Sequence, residues 1–191
     1  MSNQATADAA LLSSAALSAL LELAQASIVA SVEGRALPAV PGQLELAWPR
    51  GVFVSLHRKG ELRGCLGHLE ADVPVGEATR RMAVAAARDD PRFLPVTPDE
   101  LADLDVEVSV LSPFERIRPE DVVPGRDGLL IRRGMRSGVL LPQVATEHHW
   151  DRLTFLRAVC QKAALPAEAW KDPTIELWAF QAQVVPPGQR T

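Results

Sequence analysis

The sequence predicts an α+β fold, mainly an antiparallel sheet packed with helices, and three patterns carry that prediction. Aliphatics alternate across a hairpin over residues 51–66, and Val106, Val108 and Val110 alternate strictly against Asp105, Glu107 and Ser109. Helical spacing recurs at three separate stretches. Helices and strands do not alternate as βαβ units, which argues against a doubly wound sheet.

Taken in order, residues 1–12 read as a frayed N-terminus, 13–185 as one domain and 186–191 as a tail. Leu17, Leu20, Leu21, Ala24, Ile28 and Val32 recur at helical spacing over 14–33, with Gly34 placed to close the helix. No Lys or Arg precedes Arg35, and Glu22 and Gln25 interrupt the apolar run, so the segment reads as a core helix of a cytoplasmic protein rather than a leader or a membrane span. Residues 38–42 read as a loop and 44–48 as a short strand. In the hairpin, a three-residue loop Arg58-Lys59-Gly60 gathers Val52, Val54, Leu56, Leu62 and Leu66 on one face, with Gly60 left-handed. That register pairs 57 with 61 and 53 with 65. The other face then carries Phe53, Ser55, His57, Glu61, Arg63 and Cys65.

Residues 74–89 are helical by spacing, and Thr97-Pro98-Asp99-Glu100 is a capping box with Pro at the first helical position. A strand is expected over 105–112, a turn at 125–128, and short strands over 129–133 and 139–141. A helix over 151–165 places Leu153, Leu156, Cys160 and Ala163 on one stripe, which makes Cys160 a core residue. A last strand runs over 175–185.

Composition narrows the function classes. The chain has 191 residues, 47% hydrophobic and 23% charged, with 20 Lys+Arg against 24 Asp+Glu and a net charge of -4. No bulk positive charge favours nucleic acid. The densest basic run, Arg132, Arg133 and Arg136, suits an exposed turn beside Gly134. Two cysteines, Cys65 and Cys160, make no disulfide framework, and there is no Tyr. Without H-E-x-x-H, C-x-x-C, Rossmann or Walker patterns, neither a metal nor another cofactor is expected.

The residue with the most chemistry is Cys65, in Leu62-Arg63-Gly64-Cys65-Leu66-Gly67. Residues two apart on a strand point the same way, so Arg63 falls on the Cys65 face, where its charge favours a thiolate. Gly64 and Gly67 suit a tight turn whose N–H groups could hold an anion. The plainer reading makes Cys65 a small buried hydrophobe and the glycines a bend. His57 sits about 13 Å from Cys65 at strand rise in this register, so no Cys65–His57 dyad forms within the hairpin. His68 reaches Cys65 only if the turn folds back, and His148 and His149 point in different directions. Asp90-Pro91-Arg92-Phe93 reads as a helix stop, with Arg92 near the last carbonyls and Phe93 in the core. Alternatively, Arg92 joins Arg63 as an anion holder. Gln143 and Glu147 are polar groups in an apolar stretch.

These blocks resemble, in order, those of the AMMECR domain family: GVFVSL at 51–56, LRGCLG at 62–67, DPRF at 90–93 with Pro95-Val96, EVSVLSP at 107–113, GVLLPQVATE at 138–147, then Trp150, Phe155-Leu156 and CQKA at 160–163. The bacterial members are called AmmeMemoRadiSam system protein A. The family more often has Ile where Leu66 stands and Gly where Ala164 stands. The resemblance implies one α+β domain, often described as two subdomains with a cleft between them, and partners comprising a Memo-like protein and a radical S-adenosylmethionine (SAM) enzyme. Arg63, Gly64, Cys65, Gly67, Asp90, Arg92, Gln143 and Glu147 match the family's motifs, whereas His57, His148 and His149 do not. Two functions follow. In the first, Cys65 and Glu147 carry catalysis while Arg63, Gly64, Gly67, Asp90, Arg92 and Gln143 bind a small-molecule or peptide substrate. In the second, the same surface is a non-catalytic binding adaptor for either partner, with no membrane role.

Overall fold

The computed structural model describes residues 11–186. Residues 1–10 and 187–191 lie outside the described residues, and with them most of the expected frayed end and tail. Leu12, inside the expected frayed stretch, is buried and exchanges hydrogen bonds of 2.8 and 3.0 Å with the Gln183 side chain.

The elements in chain order are α1 (Ser14–Val32), β1 (Val52–Arg58), β2 (Glu61–His68), α2 (Val75–Arg88), β3 (Leu104–Leu111), β4 (Glu115–Arg116), β5 (Gly128–Arg133), β6 (Arg136–Leu140), α3 (Pro142–Glu147), α4 (Arg152–Lys162), β7 (Glu176–Phe180) and β8 (Ala182–Val185). Two four-stranded sheets form, ordered β2-β1-β3-β8 and β4-β7-β5-β6. The chain divides into two compact units, one running to Leu111 and resuming at Gln183, the other Ser112–Ala182. This is the predicted α+β class.

In the first unit, α1 and α2 cover one face of the sheet. Val52, Val54 and Leu56 of β1 and Val106, Val108 and Val110 of β3 point into that core beside Leu20, Ala24 and Ile28 of α1. Each of these Val, Leu and Ile side chains contributes about 1.5–3 kcal/mol by leaving water. By length and apolarity α1 could cross a membrane, but half of it is buried in this core. Its ends explain its bounds. The Ser13 hydroxyl accepts from the Ala16 N–H, while Gly34 (φ 68°) lets Gly34 and Arg35 donate back to Ser31 and Ala30. Residues 44–48, expected as a strand, form a 3-10 turn, Leu44–Ala47, which buries only Leu46 and pairs with no strand.

The hairpin differs from its predicted register. The turn has two residues, Lys59 and Gly60, both left-handed (φ 53° and 82°), so Arg58 pairs with Glu61 and His57 with Leu62. Unchecked, that register would put Arg63 opposite Leu56 and mix the faces. A β-bulge prevents it: Leu56 pairs with Gly64, Ser55 with Cys65 and Val54 with Leu66, leaving Arg63 as the extra residue. Leu66 therefore joins the core face as expected, while Leu62 is left 41% exposed. Cys65 lies opposite Ser55 rather than Phe53.

The glycines of this strand also differ from expectation. Neither Gly64 nor Gly67 forms a turn, because β2 runs through to His68. Gly64 is buried against α2, where a Cβ would collide with the Ala86 carbonyl oxygen, and the Phe53 ring lies over Gly67. Their role is close packing, with no anion-holding turn.

In the second unit, Leu129 and Ile131 of β5 and Leu177 of β7 pack on Phe155, Leu156, Val159 and Cys160 of α4. Cys160 is core, as predicted, but Leu153 is 43% exposed and off the stripe. The stretch 175–185 is two strands in different sheets, broken at Gln181, whose carbonyl accepts from the Ser112 N–H and whose N–H donates to the Ser112 hydroxyl.

Gly64→Ala should destabilise the protein by about 1–3 kcal/mol in urea unfolding, because α2 must be pushed off the sheet. Gly42→Ala, with open space around it and no left-handed backbone, should change stability by less than about 1 kcal/mol.

Candidate functional site

The outer face of the first sheet is polar where the inner face is aliphatic. The register aligns Cys65, Ser55 and Glu107 in one row across β2, β1 and β3, with His57 and Asp105 paired in the next. Cys65 is half-buried. The Ser55 hydroxyl donates to its Sγ at 3.2 Å.

Behind Cys65 stands Asp90, just past the end of α2. Because Gly64 has no side chain, α2 packs against β2, and the following chain brings the Asp90 carboxylate under the strand. That carboxylate is 2% exposed and fully occupied. It accepts from the Cys65 N–H (2.8 Å), the Arg92 N–H (3.1 Å) and the Arg92 guanidinium at Nε (2.9 Å) and Nη2 (2.7 Å). The Arg92 guanidinium first, then the two backbone N–H groups, holds the Asp90 carboxyl far below the usual range, outweighing burial.

Arg92 is thereby fixed. Its Nη2 also donates to the Cys65 carbonyl at 3.2 Å, and the Cys65 side chain is among the groups that, after Asp90, raise its pKa. It makes no bond to the last carbonyls of α2. Phe93, expected in the core, is half-buried, with the guanidinium carbons of Arg92 and Arg63 over its ring at 5.4 and 6.0 Å.

Arg63 is not free to hold an anion. As the bulged residue it forms a two-bond ion pair with Glu100, Nε and Nη2 each at 2.9 Å, and donates to the Leu94 and Pro95 carbonyls. Glu100 is the expected capping-box residue, accepting from the Thr97 N–H at the start of a 3-10 turn, Pro98–Asp103, and it also pairs with Arg58. Its pKa is lowered to about 2, chiefly by Arg63. This clamp holds the loop that carries Arg92 and Phe93 against β2.

The other candidates have settings of their own. In the observed register His57 is a diagonal neighbour of Cys65, roughly 7–8 Å away rather than 13 Å, yet it makes no hydrogen bond to the sulfur. His68 pairs with Asp72. In the second unit, His148 stacks on Trp150, Gln143 is half-buried on α3, and Glu147 is exposed at the end of that six-residue helix. Among the described residues no cluster of three His, Cys, Asp or Glu side chains suits a metal. Sequence reading placed Ser55 only on the polar face and Glu100 only in the capping box, and missed the contact of Ser55 with Cys65, the ion pair of Glu100 with Arg63 and the reach of Phe93. Counting the bulge would have exposed the first.

A small α+β protein whose half-buried thiol accepts from a hydroxyl, with a guanidinium fixed at the same residue's carbonyl, is the class that fold and site define. The AMMECR1 family model matches residues 21–185, and the chain belongs to this family. Its relatives include a Methanothermobacter thermautotrophicus protein, 49% identical over 142 residues (71% of this chain, 74% of that one), and Protein TK0174 of Thermococcus kodakarensis, 47% identical over 151 residues (73% and 74%). The crystal structure of the uncharacterized protein PH0010 from Pyrococcus horikoshii matches with a TM-score of 0.80 at 40% identity, covering 86% of this chain and 88% of that one. These relatives are archaeal.

The lowered pKa of Glu100 links stability to pH. Its contribution is complete above the unfolded value near 4.5 and is lost as pH falls through about 2. Glu100→Gln should therefore cost about 2–3 kcal/mol at pH 7, and the difference from wild type should shrink between those limits in acid-titrated urea melts.

Proposed function

We propose that the protein is a thiol-dependent modifying enzyme whose nucleophile is Cys65. The observation that carries this reading is the sulfur's setting: half-buried on a polar sheet face, accepting a hydrogen bond from Ser55, with the Arg92 guanidinium fixed beside it by Asp90. A thiolate there meets a hydroxyl donor and a positive charge. Cys65 is the nucleophile, Ser55 and Arg92 bind the reacting atoms, and Asp90, Arg63 and Gly64 are positioning residues. Glu147 and Gln143 belong to the second unit, and this reading assigns them no role. The motif resemblance supports placing the protein as component A of a radical-SAM-associated system, with a Memo-like protein and a radical enzyme as partners.

A non-catalytic adaptor is the second reading, and one observation favours it: Arg63 and Arg92 are both engaged in ion pairs within the chain, as in a rigid recognition surface. The two readings separate on Cys65. Under native conditions iodoacetamide should modify Cys65 and reach the fully buried Cys160 only after unfolding, as read by peptide mass spectrometry. A native Cys65 no more reactive than Cys160 would remove the nucleophile. The adaptor reading would then be tested by whether Cys65→Ala still binds the partners.

A further inference from the structure

The geometry points to a hydroperoxide as the electrophile that Cys65 attacks, an inference that rests on the thiol reading and narrows it to a substrate class. The argument begins with what the site has already spent. In thiol acyl transfer the nucleophile's own backbone N–H commonly helps hold the oxyanion, but here the Cys65 N–H is bound to Asp90 at 2.8 Å. Among the described residues no imidazole is bonded to the sulfur to protonate an amine leaving group; His57, diagonal to Cys65, makes no hydrogen bond to it, His68 pairs with Asp72, and the hydrogen bond to Sγ comes from Ser55. Acyl and amide transfer would therefore lack two groups they commonly use, the nucleophile's own N–H and an imidazole bonded to the sulfur.

What does face the sulfur suits an electrophile made of two oxygens. Ser55 places a hydroxyl 3.2 Å from Sγ, and Arg92 holds a guanidinium beside it whose Nη1 makes no hydrogen bond among the described residues. In a hydroperoxide the sulfur attacks one oxygen while negative charge builds on the other, where a hydroxyl and a guanidinium are the donors needed. A disulfide substrate would release a thiolate, which gains less from such donors. Partial burial of Cys65 also favours a small molecule.

The step balances. The Cys65 thiol loses its proton to solvent; its sulfur forms an S–O bond as the O–O bond breaks, and the electron pair leaves on the alkoxide or hydroxide, which takes a proton from solvent. Sulfur is oxidised by two electrons to the sulfenic acid and the peroxide is reduced by two. Cys160 is no resolving partner, being fully buried with its thiol pKa pushed up by burial. A small external thiol resets the site: one equivalent displaces water to give a mixed disulfide, and a second releases free Cys65.

The test uses the full chain, reduced, with hydrogen peroxide as probe, and reads Cys65 sulfenic acid by dimedone trapping and mass spectrometry. Iodoacetamide, whose displaced halide needs no oxygen-directed donor, is the control electrophile. Wild-type Cys65 should react with peroxide at least about a hundredfold faster than free cysteine at the same pH, and Ser55→Ala or Arg92→Lys should lower that rate by about tenfold or more. In both variants the ratio of the peroxide rate to the iodoacetamide rate should fall by about tenfold, while each still unfolds cooperatively, since neither leaves Asp90 without a cation. Rapid alkylation with a peroxide rate no better than free cysteine would overturn the inference and leave the thiol reading standing. Failure to react with either reagent would overturn both.

Discussion

One buried carboxylate organises the first unit's polar face. Asp90 accepts from the backbone of β2 at Cys65 and from both the backbone and side chain of Arg92, so a single charge ties a strand to the loop that follows a helix. A buried carboxylate is tolerable only when its oxygens are all met, and here they are. The position of the guanidinium relative to the thiol therefore depends on Asp90 being ionised and in place. Gly64 is the upstream condition, because with any side chain there α2 could not approach closely enough for Asp90 to reach the strand.

The second constraint is the clamp of Arg63 on Glu100. Asp90 and Glu100 grip the two ends of the same loop, and Phe93 lies beneath the two guanidinium groups they orient. Both ion pairs are largely removed from water on the acidic side, which makes them costly to break singly and useful for fixing geometry. The arginines that sequence reading assigned to ligand binding are thus first of all framework, and of the two only Arg92 also donates to Cys65, at its carbonyl.

Much of this was legible. The face assignment survived an error in register because the real turn is one residue shorter and the bulge adds one residue to β2, an offset of two that returns every side chain beyond the bulge to its expected face. Cys65 was correctly placed on the polar face, but its neighbour became Ser55. The glycines misled because close backbone packing and tight turns both demand Gly, and a single sequence does not separate them. Arg63 misled because alternation fails at a bulged residue. The break at Gln181 was hidden by an apolar run continuing across two strands.

The measurement closest to the centre of this account is the titration of Asp90 itself, followed by the carboxyl carbon resonance in NMR and assigned with Asp90→Asn. The account requires that this signal stay that of a carboxylate from pH 7 down to about 3, where an unperturbed aspartate with a pKa near 3.9 is mostly protonated. A midpoint in the ordinary carboxylate range would mean that Asp90 does not hold Arg92 and Cys65 together, and the site built on it would fall.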